Sequence, residues 1–294
     1  TLVRSDLGQI EPRVLAAVSG DTGLAAAARE DDMYAPVAAA LRSDRPTAKV
    51  AVLAAMYGQT SGPAGEALKD MERTYPVALA FLRDAEEHGR RGEDLRTYGG
   101  RLLRLSSLAE RLAEAGPEST AAHSYGRFAR NAVVQGAAAE LFKAWAATVR
   151  AGLAGSTAQI VLCLHDELLV ECDEDDAPRV AAVVEDALQS TAAWWCAGSG
   201  VRLVSDTSVS RSWADAKAST DRGSSSARAA DWSGPVPVPG IVHMRLAQCP
   251  GGAGTGWERC DERRDEHDHG GAPQRAAALR AAGGPLRGPP RVLA

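Results

Sequence analysis

Aromatic residues are scarce, at 5% of the 294 residues. A core here must therefore be built largely from Ala, Leu and Val on helices. No run of 18 or more apolar residues occurs, so no membrane-spanning helix is expected. The first residues, Thr1-Leu2-Val3-Arg4, include no initiator Met and none of the layout of a signal peptide. They read as the start of a strand, so the chain is expected to begin within a fold. Cysteine is sparse and odd in number: Cys163, Cys172, Cys196, Cys249 and Cys260. Their scatter suits a reducing cytoplasm and argues against a disulfide framework. A surplus of cations is also missing, since the net charge is −5. This disfavours a protein that coats nucleic acid indiscriminately, but not an enzyme whose basic side chains line one groove.

Lysine is absent from 218–294, where Gly, Pro, Ser and Arg abound. Segments such as Gly234-Pro235-Val236-Pro237-Val238-Pro239-Gly240 cannot form the interior of a helix or sheet. The stretch 218–294 is therefore expected to be a low-complexity, disordered tail, with at most a short helix over 276–282. Cys249, Cys260, His267 and His269 lie in it at spacings that match no common zinc module. Before the tail, apolar strands alternate with helices rich in Ala, Leu, Arg and Glu. Strands are expected at Leu2–Leu7, Gln159–Leu164, 168–172 and 201–209, and an extended stretch at 97–105 around Gly99-Gly100. Helices are expected at 11–18, 31–41, 47–57, across 63–89 with a break at Pro76, at 124–153 with an interruption at Gly136, and at 177–193. Gly20-Asp21-Thr22-Gly23 reads as a turn.

Three patches carry the chemistry. Asp6 ends an apolar strand, and His165-Asp166-Glu167 forms the turn between two others. Ile160-Val161-Leu162-Cys163-Leu164 is continuously apolar and is expected to be covered on both faces. Two carboxylates at such strand ends can share a pair of Mg²⁺ ions about 3.5–4 Å apart. The alternative is a solvated turn and an aspartate that caps a helix. Arg45, Lys49, Leu53 and Tyr57 recur every four residues and drift about 40° per step around a helix, so they share one broad face. Near the helix N-terminus the two cations suit triphosphate oxygens; otherwise they form a solvated cationic face. Arg127, Asn131 and Gln135 share a face of the 124–153 helix. They suit minor-groove edges and phosphates, or bridges to internal backbone.

In this order the patches resemble motifs A, B and C of the family A DNA polymerases, the bacterial DNA polymerase I group. Asp6-Leu7-Gly8-Gln9-Ile10-Glu11-Pro12-Arg13 resembles the family's Asp-Tyr-Ser-Gln-Ile-Glu-Leu-Arg. The stretch from Arg45 through Lys49 and Leu53 to Tyr57-Gly58 resembles Arg-x3-Lys-x3-(Phe or Tyr)-x2-3-Tyr-Gly, with Leu53 where the family usually has an aromatic ring. His165-Asp166-Glu167 stands as motif C. Thr97-Tyr98-Gly99-Gly100-Arg101, the segment Arg127 to Glu140, and Trp213 to Lys217 resemble further family stretches, so the likeness runs over about residues 1–217.

The resemblance implies an α+β fold: a right-hand polymerase palm with an antiparallel sheet, and helical fingers. It divides the chain into palm at 1–30, fingers at 31–123, palm at 124–217 and the tail at 218–294. The family's thumb, first palm strands and any 3′→5′ exonuclease domain precede motif A and are expected to be absent. By resemblance, Asp6, Asp166, Glu167 and Lys49 are catalytic. Two Mg²⁺ ions are held by Asp6, the Leu7 carbonyl and Asp166. Gln9, Ile10, Glu11, Tyr34, Arg45, Lys49, Leu53 and Tyr57 bind the nucleotide, with Glu11 selecting deoxyribose. Arg13, Thr97, Arg101, Arg127, Asn131, Gln135 and His165 meet DNA. The implied partners are primer-template DNA and dNTPs, and the implied location is the cytoplasm, at the nucleoid.

Overall fold

The computed structural model describes residues 1–59 and 62–216. The expectations for the tail, its helix at 276–282, Cys249, Cys260 and Lys217 lie outside the described residues. The described fold is α+β, mostly helical, around a four-stranded antiparallel sheet. Strand order is β4-β5-β1-β6, from β1 (Leu2–Leu7), β4 (Gln159–Leu164), β5 (Glu167–Glu171) and β6 (Ser205–Ser210). Two further short strands, β2 (Leu95–Arg96) and β3 (Leu102–Leu103), form a separate hairpin. The strand expected at 201–209 therefore begins later, at Ser205.

β1 and β5 occupy the middle of the sheet, and β4 and β6 its edges. Leu168, Leu169 and Val170 of β5 are buried. The expectation that Ile160–Leu164 is covered on both faces is overturned: Val161 is 49% and Leu164 41% exposed. β4 bonds to β5 on one side only among the described residues, and its register slips between Ile160 and Leu162. An edge strand with such an irregularity twists away from the cover its partner enjoys.

Helices pack behind and beside the sheet. α1 (Ile10–Ser19) starts directly after β1 and ends at Gly20. Gly20-Asp21-Thr22-Gly23 is less a turn than a junction. Asp21 accepts from Leu24 N at 2.9 Å and so caps α2 (Thr22–Ala27). The same carboxylate accepts from Ala78 N at 3.1 Å in α6 (Pro76–Arg91), tying two helix starts together. α3 spans Tyr34–Leu41, three residues shorter at its start than expected. α4 (Arg45–Tyr57) is capped by Asp44, which accepts from Thr47 N at 2.8 Å, and it ends at Gly58 with φ 68°. Pro46 sits in its first turn, where its missing N–H leaves no gap. α5 (Gly62–Thr74) follows, and α7 (Ala109–Ala115) was not foreseen.

The long helix α8 (Thr120–Gly152) passes through Gly136 without interruption. Gly136 is there for proximity: a Cβ would lie 2.5 Å from Thr97 Cγ2. Similarly, a Cβ on Gly89 would lie 2.4 Å from Tyr125 O, so α6 and α8 can pack this closely only with glycine there. α9 (Ala177–Trp195) packs on β1, β6 and α8. Trp145, fully buried, donates its indole N–H to Val184 O at 3.0 Å and joins α8 to α9. Among the described residues no helix is long and apolar enough to cross a membrane.

Candidate active site

The acidic residues converge because of strand register. Asp6 on β1 lies opposite Glu167 on β5 and Asp206 on β6. Leu7 N donates to Asp166 O at 3.0 Å, which sets Asp166 beside the same strand end. His165 turns the hairpin with φ 54°, an uncommon conformation for a residue with a side chain. Burial, then the Asp166 charge, hold the Asp6 carboxyl above its ordinary range, despite the opposing pull of Arg4. Glu167 and Asp206 push in the same direction. The aspartate is thus crowded by negative charge that a cation would relieve.

Glu167 is not an open acid. It is 4% exposed. Its Oε2 accepts from Arg4 Nε at 2.9 Å, and its Oε1 accepts from the Trp213 indole. Arg4, also 4% exposed, donates from its terminal nitrogen to Asp6 Oδ2 at 2.8 Å. Among the described residues no group of three or more His, Cys, Asp or Glu makes a metal cage on its own. Mg²⁺ does not require one, since it takes one or two carboxylates and completes its shell with waters and phosphates. Asp6 and Asp166 with the Leu7 carbonyl would supply a hard-oxygen set of that kind.

A pocket of about 300 Å³ opens beside Asp166, lined by Ile10, Glu11, Gln135, Ala138, Ala139 and His165. Gln135 Nε2 donates to Glu11 Oε1 at 3.2 Å and to the Tyr57 hydroxyl at 3.3 Å. The wall thus joins α1, α4 and α8. Burial raises the Glu11 carboxyl above its usual range, Gln135 pulls it back, and Asp166 raises it further. Tyr57 is also raised, by burial first and then by the Glu11 charge.

The cations of α4 differ from one another. Arg45 is held by Asp32, with Nε to Oδ2 at 2.6 Å and Nη2 to Oδ1 at 3.2 Å. Its guanidinium carbon lies 5.6 Å from the centre of the Tyr34 ring. Burial pushes the Asp32 carboxyl up, but hydrogen bonds from Arg45 and Gln9 outweigh it and leave it below the usual range. Tyr34 is buried and pushed up to about 12, by burial first and the Glu11 charge next. Lys49 is exposed and joins no ion pair among the described residues. Leu53 is half-buried against the core.

Two residues expected at DNA are turned inward. Arg13 is 0% exposed, and its guanidinium donates to the carbonyls of Gly8, Ala28, Glu30, Asp31 and Arg202. It ties α1 to the segment after α2 and to the approach to β6. Thr97 is 2% exposed and donates to Glu140. Gln9 is likewise engaged internally, donating to Asp32 Oδ1 at 2.7 Å and accepting from Met33 N at 3.0 Å. Ile10 is 7% exposed and reaches the pocket at its edge. Arg101 stands 3.7 Å from Glu140. Arg127 and Gln135 are exposed, and Asn131 Oδ1 is buried without a hydrogen-bond partner.

Arg4, Asp32, Glu140 and Arg130 were missed by the sequence reading. Glu140 clamps the β2–β3 turn through Thr97 and through Gly99 N at 2.8 Å. Arg130, 3% exposed, joins α8 to Ala55 O at 2.5 Å and to Glu86 at 2.8 Å. Only Arg4 carried a signal: it stands two residues before Asp6, on the same face of one strand.

The family description DNA polymerase family A matches residues 1–215. DNA polymerase I of Chloroflexus aurantiacus is 31% identical over 211 residues, covering 64% of this chain and 22% of that protein. Thermostable DNA polymerase I of Thermus thermophilus is 31% identical over 209 residues, covering 64% of this chain and 24% of that protein. DNA polymerase theta of Caenorhabditis elegans is 26% identical over 230 residues, covering 74% of this chain and 14% of that protein. The chain thus spans less than a quarter of each. Among solved structures, the POL domain of Pol1 from M. smegmatis, in complex with DNA primer-template and dNTP, is similar with a TM-score of 0.61 at 23% identity. That match covers 72% of this chain and 40% of the solved one. With the family description matching 1–215 of the 294 residues and the fold shared with a solved POL domain, the chain belongs to DNA polymerase family A.

Proposed function

We propose that this chain carries the nucleotidyl-transfer core of a template-directed DNA polymerase, adding deoxynucleotides to a primer 3′ end in the cytoplasm. The observation that carries the reading is the meeting of Asp6 and Asp166 at one strand end, beside a pocket walled by Glu11, Gln135 and His165. Palm residues would come from 1–30 and 124–217 and fingers residues from 31–123. Asp6, Asp166 and the Leu7 carbonyl would hold Mg²⁺, which supplies a lowered pKa for the attacking hydroxyl and charge shielding for departing pyrophosphate. Lys49, exposed and unpaired among the described residues, meets the triphosphate. Arg45 joins it by exchanging Asp32 for phosphate oxygens. Glu11 and Tyr57 border the sugar and base. Arg101, Arg127, Asn131, Gln135 and His165 face the duplex.

Primer extension by the 294-residue chain with Mg²⁺ and four dNTPs tests this. Template-dependent extension that disappears in Asp166→Asn supports it. A second reading, a DNA-binding remnant without catalysis, is favoured by Leu53, where the family has a ring. Duplex binding without any extension would select that second reading.

A further inference from the structure

The strand end that carries Asp6 holds more negative charge than two metal ligands require. The charges of Asp166, Glu167 and Asp206 all bear on Asp6 there. One buried cation stands among them. Arg4 lies two residues before Asp6, so both side chains leave the same face of β1. Glu167 is directly opposite Asp6 in the antiparallel register, so it shares that face. The guanidinium is therefore wedged between two carboxylates. Nε donates to Glu167 Oε2 at 2.9 Å, and the terminal nitrogen lies 2.8 Å from both Glu167 Oε2 and Asp6 Oδ2.

The two carboxylates end up in different states. Glu167 is closed: its side chain is 6% exposed, with Arg4 on one oxygen and the Trp213 indole on the other. Asp6 remains open: its side chain is 32% exposed, and its Oδ1 takes no hydrogen bond among the described residues. A guanidinium is always charged and weakly hydrated, which suits a buried position.

We propose that Arg4 is a positioning residue that holds Glu167 closed, withdraws it from metal binding, and offsets part of the negative charge that a divalent ion meets at Asp6. This rests on the reading of Asp6 and Asp166 as the metal pair. Arg4 thereby sets the charge that an incoming divalent ion meets. Without it, Glu167 adds a full negative charge within a few ångströms of the ion.

The test is Mn²⁺ binding to the full 294-residue chain, without DNA or nucleotide, followed by the resonance signal of free Mn²⁺. Circular dichroism confirms folding of each variant. Arg4→Met should bind Mn²⁺ about tenfold more tightly, since a nearby positive charge is gone. Arg4→Lys, which keeps the charge, should stay within about threefold of the parent. Glu167→Gln removes one negative charge near the ion while Arg4 keeps its positive one, and should weaken binding about tenfold. The double variant Arg4→Met/Glu167→Gln should return close to the parent; a Glu167 that itself ligates the ion would leave the double variant weak.

Unchanged or weaker binding in Arg4→Met, or a weak double variant, overturns the inference. If Arg4→Met does not fold, unchanged binding in Glu167→Gln overturns it instead. Asp6→Asn separates the two readings. Lost binding in Asp6→Asn with a silent Arg4→Met removes the Arg4 role and leaves the metal pair standing. Parent-like binding in Asp6→Asn removes both.

Discussion

Charge is built into β1 and β5 but hung from α4. In the strands, Arg4 and Glu167 are each 4% exposed and bonded to one another. On the helix, Arg45 and Lys49 face solvent, one tethered to Asp32 and the other in no ion pair among the described residues. A buried ion pair cannot lose one member without stranding the other in a dry environment. A solvated cation can be removed with little effect on folding. The same fold thus couples stability to chemistry in the sheet and separates them on the helix.

The largest effect should come from breaking the sheet pair. Glu167→Ala removes the carboxylate that the buried Arg4 Nε donates to and should lower unfolding free energy by about 3 kcal/mol. Urea denaturation checks it, and an unchanged midpoint would mean that the buried pair contributes nothing. On the helix, Lys49→Ala should leave the melting temperature unchanged while turnover in primer extension falls roughly 100-fold, because charge stabilisation at the leaving pyrophosphate is lost. Normal turnover in Lys49→Ala would make the helix an ordinary solvated face.

Leu53→Phe sharpens the contrast from the apolar side of α4. Leu53 is only partly covered, so a ring can present its face to an incoming nucleotide. Apparent dNTP affinity should improve about two- to tenfold, and single-turnover titration would detect its absence. The smallest effect is expected at the pocket wall. Burial raises the Glu11 carboxyl, so its ionised form is disfavoured in the folded chain. Its favourable contribution is complete below the unfolded carboxyl pKa of about 4.3 and is lost as pH rises through the raised folded value. Glu11→Gln should therefore melt slightly higher than the parent at pH 7 and equally at pH 4. A gap that widens toward acid would reverse the assignment.

Local pattern made much of the architecture legible. β1 and β4 span Leu2–Leu7 and Gln159–Leu164, the stretches expected as strands, and α4 carries its start and stop in Asp44, Pro46 and Gly58. Asp6, Asp166, Lys49 and Tyr57 stood out because spacing along one strand or one helix face survives folding. Arg13 misled for a physical reason. An arginine near a motif looks the same whether it faces phosphate or main-chain carbonyls, and only the arrival of Ala28, Glu30, Asp31 and Arg202 around it decides which. Gly136 misled in the opposite direction, reading as a break where the helix needed room for Thr97.

By itself the sequence determined what short-range sterics and periodicity control: which segments become helix or strand, where helices are capped, and which residues share a face. Tertiary structure decided the rest. β4 and β5 have similar apolar strings, yet one is exposed at the edge and the other buried in the middle, because sheet order depends on which distant strands pair. The partners of Arg4, the closing of Glu167 by Trp213 and the tether of Arg45 to Asp32 arise from contacts across the fold. Arg4 and Glu167 are 163 positions apart, and no local pattern encodes a partner that far along the chain.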